Sequence, residues 1–288
     1  MQIYKKVSDV RNYVILNKKE GKTIGFVPTM GCLHEGHLSL ISMAKEQSDI
    51  IIVSIFVNPL QFGPGEDYGK YPRELENDIE KLKKIGVNAL FHPDVNEMYG
   101  DNMTGTTYIE VPVISQKLCG AYRPGHFRGV ATIVAKLLNC VPADKAYFGA
   151  KDWQQQLIIK KMVHDLNINM KIVACPIIRE RDGLAMSSRN EYLAPEDRKT
   201  AARLYESLKA AANAYDKNIT DVNEIKSIIE NIIQKEPRKS DLKIQYLEIC
   251  DPETLEAVDQ LTRGVLIAMA VFIGEVRLID NWIIGQNL

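Results

Sequence analysis

Several features that would indicate a particular class of protein are absent from this sequence of 288 residues. Its five cysteines form no CxxC pair, so neither a zinc knuckle nor a disulfide framework is predicted. No apolar run is long enough to span a bilayer, and the N-terminus lacks the apolar segment of a signal peptide. The formal net charge of -1 gives no electrostatic case for nucleic acid or an anionic membrane as partner. We therefore expect a reduced cytoplasmic protein that binds neither nucleic acid nor membrane.

Two common nucleotide-binding signatures are missing as well. Neither GxGxxG nor GxxxxGK[ST] occurs, which weighs against a redox Rossmann enzyme and a P-loop NTPase.

The sequence does contain a regular alternation of strand-like and helix-like segments. The runs "TIGFVPT", "DIIIVSIFVNP" and "VNALFHP" are typical of buried strands, and "LSLISMAKEQ" and "ELENDIEKLKKIG" between them have helical spacing. After about residue 181 the pattern changes to polar turns, two helices and further strands. We therefore predict an α/β fold, with a Rossmann-like doubly wound parallel sheet domain over residues 1–180. A smaller α+β C-terminal domain is predicted over residues 181–288.

The segment "PTMGCLHEGH" places two histidines at the predicted turn between a strand and a helix. Gly31 and Gly36 permit a close backbone approach, and open α/β sheets bind ligands at the carboxyl ends of their strands. A helix start there suits phosphate. A zinc site is an alternative, but His34 and His37 are only two ligands; two polar loop histidines without a function are another. The agreement of strand, glycines, histidines and helix favours phosphate or nucleotide binding.

Three further segments carry polar side chains at predicted loops. In "FGAKDWQQQ", Lys151 follows a strand and precedes a helix, where its ammonium can reach phosphate oxygens. For this segment alone, a surface loop lysine without a function is the better interpretation. Asp152 beside it is an N-cap, a ribose ligand or an orienting group for Lys151. In "AMSSRNEYL", two hydroxyls and the Arg189 guanidinium form a donor cluster suited to polyphosphate. In "VNPLQFGPGEDYGKYPRE", Gln61 is expected at the same sheet edge as His37, facing a small substrate.

Together these segments resemble one family. "HEGH" is similar to the HxGH signature of nucleotidyltransferases and class I aminoacyl-tRNA synthetases. More narrowly, "PTMGCLHEGH", "FVNPLQFGPGEDYGKYPR", "RPGHFRGVATIVAKLLN", "FGAKDWQQ" and "MSSRNEYL" resemble, in the same order, the pantoate–β-alanine ligase (pantothenate synthetase) family. The similarity runs from the N-terminus to about Leu193.

The resemblance implies an ATP-dependent condensation of (R)-pantoate with β-alanine through a pantoyl adenylate, giving pantothenate, AMP and diphosphate. It also implies a homodimer and Mg²⁺ held mainly through the ATP phosphates. Catalytic roles fall to His37, His34 and Lys151. Gln61 and Gln155 would bind pantoate, and Gln61 would also lie near β-alanine. The ATP-binding residues implied are Met30, Gly31, Cys32, Leu33, His34, Glu35, Gly36, His37, Gly149, Ala150, Lys151, Asp152, Ile178, Met186, Ser187, Ser188 and Arg189.

The sequence departs from the family pattern at two places. Ala150 stands where the family often has Glu, and Asn77 precedes Asp78 where some members have paired acids. We therefore assign no protein ligand to Mg²⁺ and expect phosphates and water to complete its coordination.

Chemical reasoning gives a role for His37 and leaves two rival functions. We hypothesise that His37 stabilises the phosphate transition state as a hydrogen-bond donor rather than as an obligatory proton donor. One rival is a nucleotidyltransferase that releases its product without a second acceptor. The other is a non-catalytic nucleotide sensor.

Overall fold

The computed structural model describes residues 1–101, 103–235 and 241–285, so parts of the predicted second domain lie outside the described residues. The helices and strands, in chain order, are β1 (Gln2–Tyr4), α1 (Val7–Lys19), β2 (Ile24–Thr29), α2 (Glu35–Gln47), β3 (Ile50–Ile55), α3 (Leu75–Ile85), β4 (Ala89–Phe91), α4 (Val95–Tyr99), α5 (Cys119–Tyr122), α6 (His126–Cys140), β5 (Lys145–Gly149), α7 (Trp153–Asp165), β6 (Lys171–Cys175), α8 (Pro195–Asp216), α9 (Val222–Ile233), β7 (Leu242–Cys250), β8 (Leu266–Ile273) and β9 (Val276–Ile283). Short 3-10 helices occur at Pro59–Gln61, Asp67–Gly69, Met103–Gly105, Ile114–Gln116, Ala150–Asp152 and Ser188–Tyr192. Among the described helices, none combines the length and apolar character needed to cross a membrane.

The chain divides into two compact units. The N-terminal unit comprises Met1–Gln116, Gly120–Ala150 and Gln154–Cys175. The C-terminal unit comprises Lys117–Cys119, Lys151–Trp153 and Pro176–Leu288. Two three-residue segments that precede Pro176 in the sequence therefore belong to the C-terminal unit.

A six-stranded parallel sheet forms the centre of the N-terminal unit, in the order β1-β4-β3-β2-β5-β6. The central strand β2 pairs on one side with β3 and on the other with β5, where Gly25 lies opposite Lys145. The chain moves outward from β2 through β3 to β4, and later places β5 and β6 on the opposite side. The carboxyl end of β2 is thus a topological switch point, where open α/β sheets bind ligands.

The burial of these strands explains their near-continuous apolar runs. Every residue of β3 is buried, and five of the six in β2 are buried, because helices cover a parallel sheet on both faces. On one face, α2 packs through Leu40, Ile41 and Ala44 onto the sheet. This packing fixes the position of the turn that joins β2 to α2.

The C-terminal unit contains an antiparallel sheet in the order β7-β8-β9. The helices α8 and α9 bury Leu204, Leu208 and Ile229 against the sheet residues Ile267 and Met269. The predicted fold class, a doubly wound parallel sheet followed by a smaller α+β part, is confirmed.

Candidate functional site

The turn from β2 to α2 is built from glycine and from buried hydrogen bonds. Gly31 has a φ of +82°, and a Cβ there would lie 3.0 Å from Cγ2 of Ile55 and 3.1 Å from Oδ2 of Asp78. Thr29 donates its hydroxyl to the Ser54 carbonyl at 2.8 Å and accepts from the Gly31 N–H at 3.2 Å. The next residue, Cys32, has a φ of +48°, which is uncommon for a residue with a side chain. Such a conformation persists only where surrounding groups hold it.

Asp78 is the group that holds this turn. Its carboxylate, 1% exposed, accepts from the Cys32 N–H at 2.8 Å and from the Leu33 N–H at 2.7 Å. Lys81, one helical turn further along α3, donates to the Leu33 carbonyl at 2.6 Å. Burial raises the pKa of Asp78, although the two N–H groups and Lys81 act to lower it. The main chain of the turn is therefore fixed from α3 by both a carboxylate and an ammonium.

The two histidines lie against each other at the start of α2. His34 precedes the helix, and its ring centroid is 4.1 Å from that of His37. The His34 N–H donates to Nδ1 of His37 at 3.4 Å. Because Nδ1 accepts this bond, the proton of the neutral His37 ring lies on Nε2. His37 thus presents an N–H donor from the first turn of a helix, where the helix dipole also favours an anion.

Gln61 contacts the same turn from the segment after β3. Its Nε2 lies 3.0 Å from Sδ of Met30, and its Oε1 accepts from Nδ2 of Asn58 at 3.2 Å. Asn58, 1% exposed, also accepts from the Tyr99 hydroxyl at 2.7 Å and donates to the Gly129 carbonyl at 3.1 Å. The structure thus places the Gln61 side chain in contact with Met30, at the start of the β2–α2 turn. Its amide is oriented by a buried neighbour.

A second group of polar residues holds the main chain of Gln61. His126 lies with Nδ1 2.7 Å from the Gln61 carbonyl, which can only accept, so Nδ1 carries the proton. Its Nε2 then accepts from Nη1 of Arg123 at 3.0 Å. Arg123 also makes a bidentate pair with Glu66 at 2.7 and 2.6 Å. Burial acts to raise the pKa of Glu66, but the Arg123 guanidinium outweighs it and holds the pKa below its ordinary value.

The other predicted site residues of the N-terminal unit lie at the ends of two elements. Gly149 ends β5, which adjoins β2 at the switch point, and Ala150 follows it and is buried. Gln155 is half-buried in the first turn of α7. Glu35 and Gly36 form the start of α2.

In the C-terminal unit, Lys151 and Asp152 belong to the 3-10 helix Ala150–Asp152. The Lys151 ammonium lies 3.9 Å from Oδ2 of Asp152, a long separation for an ion pair. The Lys151 carbonyl accepts from Nδ2 of Asn281 at 2.8 Å. The main chain of Lys151 is thus held more closely than its side chain.

The segment with the predicted Ser-Ser-Arg cluster folds back on itself in the C-terminal unit. The Met186 N–H donates to the Ile178 carbonyl at 3.0 Å, next to an antiparallel bridge between Arg179 and Ala185. Ser187 precedes the 3-10 helix Ser188–Tyr192, and its Oγ accepts from the Arg189 N–H at 3.3 Å. The structure therefore brings together five of the predicted ATP-binding residues: Ile178, Met186, Ser187, Ser188 and Arg189.

Sequence reasoning missed the residues that position this site. In the sequence, Asp78 was considered only together with Asn77, where some family members have paired acids. Yet Leu75, Asp78 and Leu82 share one face of α3. An acid within an apolar stripe indicates a buried partner. Arg123 and His126 lay within a quoted motif without a role. Among residues 1–101, 103–235 and 241–285, no group of three or more His, Cys, Asp and Glu side chains could hold a metal ion.

Comparison with known proteins gives matches along almost the whole chain. Residues 2–283 match the family model of pantoate-beta-alanine ligase. The chain is 50% identical over 285 residues to a pantothenate synthetase of Thermotoga petrophila, covering 99% of this chain and 100% of that protein. It is 53% identical over 279 residues to a pantothenate synthetase of Clostridium novyi, covering 96% of each.

Solved structures give the same result. The crystal structure of pantothenate synthetase from Thermus thermophilus superposes with a TM-score of 0.91 at 42% identity, covering 98% of this chain and 99% of that one. A pantoate-beta-alanine ligase from Francisella tularensis, complexed with beta-gamma ATP and beta-alanine, superposes with a TM-score of 0.81 at 37% identity. That match covers 100% of this chain and 99% of the other.

Proposed function

This chain belongs to the pantoate–β-alanine ligase family, and we propose that it activates pantoate with ATP and joins it to β-alanine. The enzymes of this family are ligases that form an amide bond in pantothenate biosynthesis. The observation that carries the proposal is the β2–α2 turn, where His37 presents its Nε2–H at a helix start beside the switch point of the sheet. The ligands of the related Francisella tularensis structure support ATP and β-alanine as substrates here.

The first step is the attack of a pantoate carboxylate oxygen on the α-phosphorus of ATP. A new P–O bond forms, the bond to diphosphate breaks, and pantoyl adenylate results. Negative charge grows on the α-phosphate and on the departing diphosphate, so the step needs positioned donors and cations. We assign this role to His37 and His34 in the N-terminal unit, and to Lys151 and Arg189 in the C-terminal unit.

In the second step, the amine of β-alanine attacks the carbonyl carbon of the adenylate. A C–N bond forms, the C–O bond to AMP breaks, and the nitrogen that attacked releases one proton to solvent. The step requires a deprotonated amine and exclusion of water from the mixed anhydride. Gln61, whose amide and carbonyl are both held by neighbours, is well suited to orient the reactants.

The remaining nucleotide contacts follow from the family resemblance. The turn from Met30 to His37 would bind the phosphates and Gly149 to Asp152 would contact the nucleotide. The main chain of Ile178 would meet adenine, and Met186 to Arg189 would approach the phosphates. Gln155 would make a second contact with pantoate. We propose residues 1–180 as the nucleotide- and pantoate-binding domain and residues 181–288 as a small lid domain.

Two further features of the proposal, Mg²⁺ and the homodimer, rest on the family resemblance, and a third, the cytoplasmic location, rests on the composition of the sequence. Mg²⁺ would bind mainly through the ATP phosphates and would neutralise their charge during adenylation. The enzyme would be a homodimer, and it would act in the cytoplasm.

An exchange assay tests the proposed function. We expect labelled diphosphate to exchange into ATP only when pantoate is present, and AMP to form in proportion to pantothenate when β-alanine is added. Exchange without β-alanine-dependent AMP formation would indicate a nucleotidyltransferase. ATP binding without any exchange would indicate a nucleotide sensor, and either outcome would refute the proposal.

A further inference from the structure

The Lys151 main chain is held by a buried side chain from the last strand of the protein. Asn281 in β9 is 3% exposed, and its Nδ2 donates to the Lys151 carbonyl at 2.8 Å. Two positions further along, Nε1 of Trp153 donates to the Pro252 carbonyl at 2.8 Å. The segment Lys151–Trp153 is thus anchored to the C-terminal unit at both of its ends.

The side chain of Lys151 has no comparably close anchor of its own among these contacts. Its Nζ lies 3.9 Å from Oδ2 of Asp152, and its side chain is 19% exposed. An ammonium on a flexible stem loses rotational freedom when it engages a phosphate. The main chain of Lys151 determines the position from which this side chain extends, and the hydrogen bond from Asn281 holds that main chain.

The residue before Asn281 has a parallel role on the other face of the strand. Asp280, 2% exposed, pairs with Arg179 through two bonds of 2.6 and 3.0 Å. The main chain of Arg179 forms an antiparallel β-bridge with Ala185, which directly precedes the segment Met186–Arg189. Adjacent residues of β9 therefore hold the two segments of the C-terminal unit to which phosphate contacts are assigned.

From this arrangement we propose that Asn281 is a positioning residue for adenylation, acting on ATP through the main chain of Lys151. The inference rests on the proposed role of Lys151 in contacting the phosphates. Asn281 does not itself touch substrate. It fixes the position of Cα of Lys151, so that the ammonium is already placed to reach the phosphates.

The test is a double-mutant cycle measured by ATP–diphosphate exchange. Asn281→Leu removes the donor and keeps a similar volume. Because a misplacement of about 1 Å can lower a rate by ~10²-fold, we expect at least a ~10-fold loss of kcat/KM for ATP. The KM for pantoate should stay unchanged. In a Lys151→Ala background, the same Asn281→Leu change should have no further effect.

Ser207→Ala is the matched control, because Ser207 is fully buried in the same unit and donates to the Leu204 carbonyl at 2.7 Å. It should leave exchange unchanged, with thermal unfolding midpoints compared across all variants. If Asn281→Leu does not fold, Asn281→Asp supplies a second variant of nearly equal shape that lacks the amide donor.

Two outcomes would overturn the inference alone: full exchange activity in Asn281→Leu while Lys151→Ala is impaired, or equal losses from Asn281→Leu with and without Lys151. If Lys151→Ala itself exchanges normally, the proposed role of Lys151 fails together with the inference.

Discussion

Replacing Asp78 should weaken both the fold and ATP binding, because one buried carboxylate supports two main-chain N–H groups of the β2–α2 turn. We compare Asp78→Ala, which removes both acceptors, with Asp78→Asn, which retains one. The turn carries Cys32 at a φ of +48°, and its backbone would relax once the acceptors are gone.

The size of the effect follows from the two bonds of 2.8 and 2.7 Å. A buried N–H left without an acceptor costs about 1–3 kcal/mol. Burial raises the pKa of Asp78, which means that the surroundings disfavour its negative charge. Removing this charge offsets part of the cost of the two unpaired N–H groups. We expect a net loss of about 2–4 kcal/mol for Asp78→Ala and about half of this for Asp78→Asn. Against a typical total stability of about 5–15 kcal/mol, both variants should fold.

Urea unfolding gives the free energies, and diphosphate exchange gives the KM for ATP. Asp49→Asn is the matched control, because Asp49 accepts from the Thr23 N–H at 2.8 Å but lies at an exposed position. We expect the KM for ATP to rise in the order wild type, Asp78→Asn, Asp78→Ala, with the control near wild type. Equal stability of wild type and Asp78→Ala, or a normal KM in a destabilised Asp78→Ala, would refute the reasoning.

Four other predictions concern the same unit. His37→Ala should lower the adenylation rate by ~10²–10³-fold, with a smaller effect on aminolysis of supplied pantoyl adenylate; unchanged adenylation in a single-turnover assay would contradict the assignment. Gln61→Ala should raise the KM for pantoate while calorimetry shows nearly unchanged ATP binding. Weakened ATP binding with an unchanged KM for pantoate would disprove the assignment of Gln61 to pantoate. Gly129→Ala would place a Cβ 2.1 Å from the Leu60 carbonyl oxygen, so it should lower the free energy of unfolding by about 1–3 kcal/mol in urea. Because the pKa of Asp78 is raised above its ordinary value of 3.8, its contribution to stability is complete below pH 3.8 and declines as the pH rises through the native pKa. The difference in unfolding free energy between wild type and Asp78→Asn should therefore shrink from acidic to neutral pH, and a growing difference would contradict the raised pKa.

The fold was predictable because its strongest signals are local. Buried parallel strands carry continuous apolar runs, and helices between them show a stripe with a period of 3.6 residues. Gly86 ends α3 with a φ of +85°, a conformation that favours glycine, and α8 begins at Pro195, a residue favoured at the first helical position. The edge strand β1 and helix α1 were not predicted. Three exposed or half-buried residues in a strand leave no pattern to read.

The positioning residues were less accessible because their partners are distant in sequence. Asp78 lies 45 residues from Leu33, and Asn281 lies 130 residues from Lys151. The residues around Asn281 in the sequence do not indicate which carbonyl its amide will donate to. Asp78 differs from Asn281 because its place in the apolar stripe of α3 did carry a signal, since burial of a charge implies nearby donors.

The place of β2 between β3 and β5 also has a consequence for how the protein is made. Strand β5 ends 120 residues after β2 ends, and at about 5–20 residues per second its synthesis follows by about 6–24 s. Throughout that interval one edge of β2 has no partner strand, and an unpaired edge invites association with other chains. The switch point of the sheet beside the β2–α2 turn is complete only when β5 pairs with β2. If ATP binds at this turn as we propose, it cannot stabilise the chain before β5 is made, and until then the open edge of β2 stays accessible to other chains.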